Sequence, residues 1–178
     1  HPALQLAAYG FEPLAVTDCL NFGNPEKKET MTQFVASLDG MNTFCKRLDT
    51  PIISGNVSFY NETKSKNICP TPSTGLVGLR SSVEKLPQDV FTRPGEDVVL
   101  ITFGQSWHAG FYAEINQQPP QGHFDSRMDG FEEFVKQLQT VSNKGLFSSV
   151  RVVGKMGLMY ALARMSMQGV GCSVNVEQ

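Results

Sequence analysis

The sequence is short of several things, and each shortage excludes something. Its 178 residues hold one Trp, three His and four Cys. No two of Cys19, Cys45, Cys69 and Cys172 stand as Cys-x-x-Cys, and His1, His108 and His123 are scattered. Structural zinc needs clustered thiolate and imidazole ligands, so this spacing speaks against it. Neither sign of charge is in surplus: 15 Lys plus Arg face 17 Asp plus Glu, a net charge of −2. A duplex nucleic acid partner is thereby excluded, because neutralising its phosphates takes a basic excess on one face. A local phosphate site is not. No apolar run nears the ~20 residues of a membrane span, and no charged leader followed by an apolar core opens the sequence. The expectation is a cytoplasmic protein with free thiols, without membrane or nucleic acid partners. Asn56-Val57-Ser58 and Asn61-Glu62-Thr63 fit the glycosylation pattern, but without a secretory leader they read as chance matches. The first residues are His1-Pro2 and not Met, which suggests a start that is processed, tagged or cut from something longer.

What is present describes a globular chain. Hydrophobic residues make up 40% and charged residues 18%, outside the range of disordered segments. The length suits one ordinary domain or two small ones. Pro13 to Thr17 reads as a buried strand. After it, Asn24 can cap a helix that has Pro25 in its first turn. Met31, Phe34, Val35, Leu38, Met41, Phe44, Cys45 and Leu48 then recur at intervals of mostly three and four, the mark of an amphipathic helix. Asp49-Thr50-Pro51 ends it, since a residue before Pro avoids the helical region. Ile52-Ile53 forms a second strand. Pro70-Thr71-Pro72 reads as rigid loop and Gly75 to Leu79 as a strand weakened by glycine. Ser81 to Glu96 is polar, with Pro87, Pro94 and Gly95, and reads as a connection between domains. Beyond it come a strand at Val98–Phe103, a loop at Gln117–Met128, helices at Gly130–Val141 and Gly157–Met167, and a strand at Cys172–Val176. Strands and helices mix, so the fold class is α/β or α+β.

Two polar stretches follow the first two strands: Thr17-Asp18-Cys19-Leu20-Asn21-Phe22-Gly23-Asn24-Pro25 and Ser54-Gly55-Asn56-Val57-Ser58-Phe59-Tyr60-Asn61-Glu62. Read as loops, they would be brought to one sheet edge by the helix between them, where ligands of α/β sheets bind. Gly55 would let a backbone N–H approach a phosphate, Asn56 offers a hard oxygen for Mg²⁺, and Ser58 can donate to a substrate oxygen. Asp18 makes sense beside Mg²⁺ or accepting from a nucleotide hydroxyl or amine. The competing reading is that Asn, Asp, Gly and Ser simply form turns.

Leu14 to Lys27 (LAVTDCLNFGNPEK) closely resembles a signature of the phosphoribosylformylglycinamidine synthase (FGAM synthase) family, and so does Pro51 to Thr63 (PIISGNVSFYNET). Pro70 to Leu79 is similar to the segment that follows in that family. The likeness is dense over about residues 3–80 and thinner beyond Ser81. It points to the bacterial small-subunit type. The resemblance implies part of an aminoimidazole ribonucleotide (AIR) synthetase-like N-domain at 1–83 and part of the following C-domain at 84–178, both from the second half of the enzyme. It places Asp18 and Gly55 at ATP contacts, Asn56 at a magnesium ligand and Ser58 at a contact to formylglycinamide ribonucleotide.

The family reaction uses ATP to phosphorylate the substrate's amide oxygen. Ammonia from a glutaminase then displaces phosphate and forms the amidine. The family's catalytic His and most magnesium carboxylates lie in its first half. None of the three His here matches, so no catalytic residue is assigned. The implied partners are the substrate, a glutaminase and the first half of the same enzyme. One stretch departs: where the family carries His-Asp-x-Ser-Asp-Gly-Gly-Leu, this sequence has Arg151-Val152-Val153-Gly154-Lys155-Met156-Gly157-Leu158. Gly154-Lys155 before a helix could bind an anion, or the loop has lost its polar role. That loss favours an alternative, a non-catalytic scaffold or dimerisation module of the same fold. A third reading is a relative such as a selenophosphate synthetase or thiamin-phosphate kinase, and the DCLNFGNP signature speaks against it.

Overall fold

The computed structural model describes residues 1–103, 115–117 and 129–175. The chain divides into two units, Glu12–Leu79 and a second made of Ala3–Phe11 with the chain from Arg80 onward.

Glu12–Leu79 is built on a β–α–β crossover. Strand β1 (Glu12–Asn21) leads to helix α2 (Lys28–Arg47), and strand β2 (Ile52–Ser58) returns parallel to β1. Helix α1 (Pro2–Ala8) lies in the other unit. A short hairpin follows, β3 (Glu62–Thr63) with β4 (Lys66–Asn67), and then β5 (Thr71–Leu79) runs antiparallel to β1. The sheet order is β2-β1-β5, so β1 is central and both neighbours are edges. The side-by-side strands expected from the intervening helix are therefore present. The expected loop at Pro70–Pro72 is not, because β5 begins at Thr71. Pro72 is tolerated there because an edge strand can spare an N–H.

Three aromatic rings join these elements. Phe22, fully buried just past β1, meets Phe34 of α2 edge-on at 5.2 Å between centroids. Phe34 in turn meets Phe59, just past β2, at 5.1 Å. Such contacts add to the burial of the rings themselves. With Val16 and Leu20 of β1, they form the core of this unit. The helical face is narrower than its spacing suggests. Phe34, Leu38, Met41, Phe44, Cys45 and Leu48 are half-buried, whereas Met31 and Val35 are exposed. Among the described residues the sheet of this unit has three strands, too few to cover both flanks of the apolar stripe of α2.

The helix start also differs. Asn24 does not cap α2, whose N-cap is Lys27 without a side-chain bond. Instead the Asn24 Oδ1 accepts from the Glu26 N–H at 2.9 Å, a local turn that Pro25 favours. Asp49, at φ 52, turns the chain out of the helix ahead of Thr50-Pro51.

The second unit is helical. In α1, Ala3, Ala7 and Ala8 are buried, an element the sequence reading missed although Pro2 stands in its first turn. The Tyr9 hydroxyl donates to the Val150 carbonyl at 3.1 Å. Arg80 gathers three carbonyls: Ser82 at 2.6 Å, Lys85 at 3.0 Å and that of Tyr9. Gly10, at φ 77, faces that guanidinium. Helix α3 (Phe131–Asn143) buries Phe131 and Val135, and helix α4 (Gly157–Met165) buries Ala161, Leu162 and Met165. Phe103 packs on Phe131 and Phe134 at 5.7 and 5.0 Å. The expected strands at Val98–Phe103 and Cys172–Val176 form no ladder among the described residues, and Val176 lies outside them. Val99 is 74% exposed; a β-branched run becomes a strand only where a neighbouring backbone takes its hydrogen bonds. The expected loop at Gln117–Met128 lies, after Gln117, outside the described residues.

Asn67 anchors the β3–β4 hairpin. Asn67 lies over Gly23, where an added Cβ would fall 2.6 Å from its Oδ1. That oxygen accepts from the Asn24 N–H and from Lys27 Nζ, both at 3.2 Å, and Asn67 Nδ2 donates to buried Thr30 at 3.0 Å. Asn67→Ala strands these groups and should lower stability by about 1–3 kcal/mol in urea unfolding. Lys27→Met, which removes solvent-exposed contacts with Glu62 and Asn67, should change it by less than about 1 kcal/mol.

Candidate functional site on strands β1 and β2

The two polar stretches are strand, not loop, over most of their length. Thr17–Asn21 lies in β1 and Ser54–Ser58 in β2, paired residue for residue: Thr17 with Ser54, Asp18 with Gly55, Cys19 with Asn56, Leu20 with Val57 and Asn21 with Ser58. The ladder takes up the backbone groups of β1 and those of β2 that face β1, so the turn-forming tendency of Asn, Asp, Gly and Ser is overridden here. It prevails only past the strand ends, at Asn24 and Asn61.

Because side chains alternate along a strand, the pairing sorts the four candidate residues onto two faces. Asp18 and Gly55 share one face with Val16 and Leu20. Asn56 and Ser58 share the other with Thr17, Cys19, Asn21 and Ser54. On that second face the Ser54 hydroxyl donates to Thr17 Oγ1 at 2.8 Å, and Asn21 Nδ2 reaches Cys19 Sγ at 3.5 Å. Asn56 is exposed. Ser58 is half-buried and fixed by Asn61, whose Nδ2 lies 3.1 Å from the Ser58 hydroxyl, 3.0 Å from its carbonyl and 2.9 Å from the Phe22 carbonyl. With Phe22 N–H donating to the Ser58 carbonyl at 2.9 Å, the ends of β1 and β2 are tied together.

On the first face the Asp18 side chain lies across Gly55. A Cβ at position 55 would collide with the Asp18 carboxylate, falling 2.6 Å from Cγ and 3.0 Å from the main-chain oxygen. Cys45 of α2 is close enough to feel this charge. Burial pushes the Cys45 thiol above its ordinary value, the Thr50 hydroxyl opposes this, and the Asp18 carboxylate pushes it further up. Neither Cys45 nor Thr50 stood out as a site residue in the sequence. Cys45 sat in the apolar helix pattern near the end of α2, and nothing local singled it out. The Arg151–Met156 stretch lies in the other unit. There Arg151 reaches the Asp89 carboxylate at 3.3 Å, and α4 starts without a side-chain cap.

A carboxylate seated on a glycine of the neighbouring strand, with amide and hydroxyl groups on the reverse face, on a β–α–β unit with an antiparallel third strand, defines a mixed α/β domain. Residues 4–80 match the family described as AIR synthase related protein, N-terminal domain. Over 97% of its length the chain is 41% identical to phosphoribosylformylglycinamidine synthase subunit PurL of Parvibaculum lavamentivorans, covering 24% of that protein. It is 39% identical to the subunit PurL of Staphylococcus carnosus, again over 97% of this chain and 24% of the relative. Among solved structures, 98% of the chain superposes on Thermotoga maritima PurL complexed with AMPPCP, with a TM-score of 0.61 at 19% identity over 25% of that chain. The same protein complexed with FGAR gives 0.56 at 19% identity, over 97% of this chain and 24% of that one. The chain belongs to the phosphoribosylformylglycinamidine synthase family, and it spans about a quarter of the length of the curated relatives it matches.

Thiol labelling tests the first face. Cys69 is exposed and Cys45 half-buried. Because the Cys45 value is raised, its thiolate is scarce at pH 8 and grows as pH climbs past 9. Cys69 should label with a maleimide at least about tenfold faster at pH 8. Asp18→Asn should speed Cys45 by removing the charge that holds it protonated. An unchanged Cys45 rate in that variant would place the carboxylate elsewhere.

Proposed function

We propose that this chain is a segment of an ATP-dependent ligase that makes formylglycinamidine ribonucleotide from formylglycinamide ribonucleotide, ammonia and ATP. The observation that carries this reading is the parallel pairing of the two signature strands, which sets Asp18 against Gly55 in a chain 41% identical to a PurL relative. Residues 1–83 are read as part of an AIR synthetase-like N-domain and 84–178 as part of the C-domain after it; the family match over 4–80 supports the first. The setting is read as cytoplasmic. Among the described residues no helix is long and apolar enough to cross a membrane.

In this reading Asp18 and Gly55 meet the nucleotide, Asp18 accepting from its hydroxyl or amine groups. Asn56, on the opposite face with Ser58, offers a hard amide oxygen to Mg²⁺. Asn56 fits such a role because it is exposed and its oxygen is neutral and hard. Among the described residues no three His, Cys, Asp or Glu side chains converge, so further ligands are read as coming from other parts of the enzyme. Ser58 holds the substrate through its hydroxyl, in a rotamer limited by Asn61. The chemistry needs the amide oxygen of the substrate to attack the γ-phosphorus of ATP with release of ADP. Ammonia then attacks the activated carbon and phosphate departs. The part of this chain is to bind and orient; the ammonia is read as coming from a glutaminase partner, and the catalytic base from the first half of the enzyme. T. maritima PurL has been solved with ATP, and a PurLQS assembly is known from the same organism.

For Arg151–Met156 a second reading has support. The Arg151 side chain is engaged with Asp89 and Tyr9 donates to Val150, so this loop serves packing, as a scaffold would.

Calorimetry on the full-length enzyme separates the two readings. Asp18→Ala should weaken Mg-nucleotide binding by about tenfold or more, and Asn56→Ala should lower activity about 10- to 100-fold. Wild-type nucleotide affinity in the first variant would favour the scaffold. Residues 1–178 alone should release no ammonia-dependent ADP; clear turnover would overturn the division of labour.

A further inference from the structure

We infer that Gly55 is a positioning residue: its missing side chain is the seat of the Asp18 carboxylate, and it acts on ligand binding through Asp18 and not chiefly through its own backbone. This rests on the nucleotide reading of Asp18 given above.

Four observations carry it. Asp18 and Gly55 are direct partners in a parallel ladder, so their Cα–Cβ directions point to the same face. The Asp18 side chain does not stand upright from the sheet; it crosses onto the neighbouring strand, where a Cβ at 55 would fall 2.6 Å from Cγ and collide with Oδ1. Gly55 has no positive φ, so its backbone needs no glycine. What requires glycine is the space above it. On the other side stands α2, where Cys45 senses the Asp18 charge. The carboxylate thus lies on a glycine floor, and the space left at Gly55 sets its direction before any ligand arrives. Pre-ordering of this kind strengthens binding by removing the entropy of fixing the group later.

The ordinary explanation of a glycine near phosphate is close approach of its N–H. The two explanations differ in a double-mutant cycle. The cycle is run in the full-length enzyme with Gly55→Ala, Asp18→Ala and the double variant, and with Gly55→Ala added to Asp18→Asn. Two quantities are read: the Kd for MgADP by calorimetry, and hydrogen exchange of peptides covering residues 52–58.

Gly55→Ala alone should raise the Kd about tenfold and speed exchange in β2, because the carboxylate and the strand must both give way. In the Asp18→Ala background the same change should raise the Kd less than about twofold and leave exchange nearly unaltered. The small remainder reflects the Asp18 main-chain oxygen 3.0 Å from the added Cβ. With Asp18→Asn, which keeps the shape, the exchange effect should return in full. Equal losses in both backgrounds would overturn the inference and leave Gly55 acting by itself. Exchange unaffected by Gly55→Ala in the wild-type background would overturn it too. If exchange shows the coupling while no variant alters the Kd, the seat is real and the nucleotide reading of Asp18 is what fails.

Discussion

The parallel pairing of β1 with β2 is the constraint on which the site depends. Both strands carry polar residues that would form turns in isolation. Ladder bonds hold the two backbones side by side, and from there the alternation of side chains decides what meets what. Asp18 comes against Gly55, and Asn56 and Ser58 go to the reverse face. A slip of one residue would exchange the two sets. Several contacts oppose that slip. The Phe22–Phe34–Phe59 cluster locks the strand ends to α2, Asn61 ties the Phe22 and Ser58 carbonyls, and Asn67 seats the hairpin on Gly23.

This gives the signature residues distinct physical duties. In Leu20-Asn21-Phe22-Gly23-Asn24-Pro25, Leu20 and Phe22 are core, Gly23 makes room for Asn67, and Asn24 closes a turn. In Ser54-Gly55-Asn56-Val57-Ser58-Phe59-Tyr60-Asn61, the serine pairs with Thr17, the glycine seats Asp18, and Asn61 closes the end. Much of what reads as a binding motif therefore serves to hold β1 and β2 in register. Asp18, Asn56 and Ser58 are the side chains left to meet ligands.

The crossover was legible because periodicity is strong there: apolar runs at Pro13–Thr17 and Ile52–Ile53 flank an unbroken helical pattern. The α3 and α4 helices were legible for the same reason. The site residues were legible as a group, but their placement was not. Asp, Asn, Gly and Ser look like loop by composition, and nothing local reports a partner strand 37 residues away. The ladder partners of Thr71 and Pro72, Asn21 and Leu20, are more distant still in sequence, which hid the start of β5. At Val98–Phe103 and Cys172–Val176 the error ran the other way. Their β-branched and alternating residues fit a sheet, but propensity supplies no partner, and among the described residues none pairs with them. Cys45 and Asn67 were missed because each matters only through a residue far along the chain.

The central claim is that one face of the β1–β2 pair presents Asp18, seated on Gly55, to a nucleotide. A crystal structure of the full-length enzyme with a non-hydrolysable Mg-nucleotide at this pair tests it most directly. The account predicts the Asp18 carboxylate lying across Gly55, with one of its oxygens about 3 Å from a nucleotide hydroxyl or amine. A nucleotide bound elsewhere, or an Asp18 side chain turned away from Gly55 with the ligand in place, would contradict it.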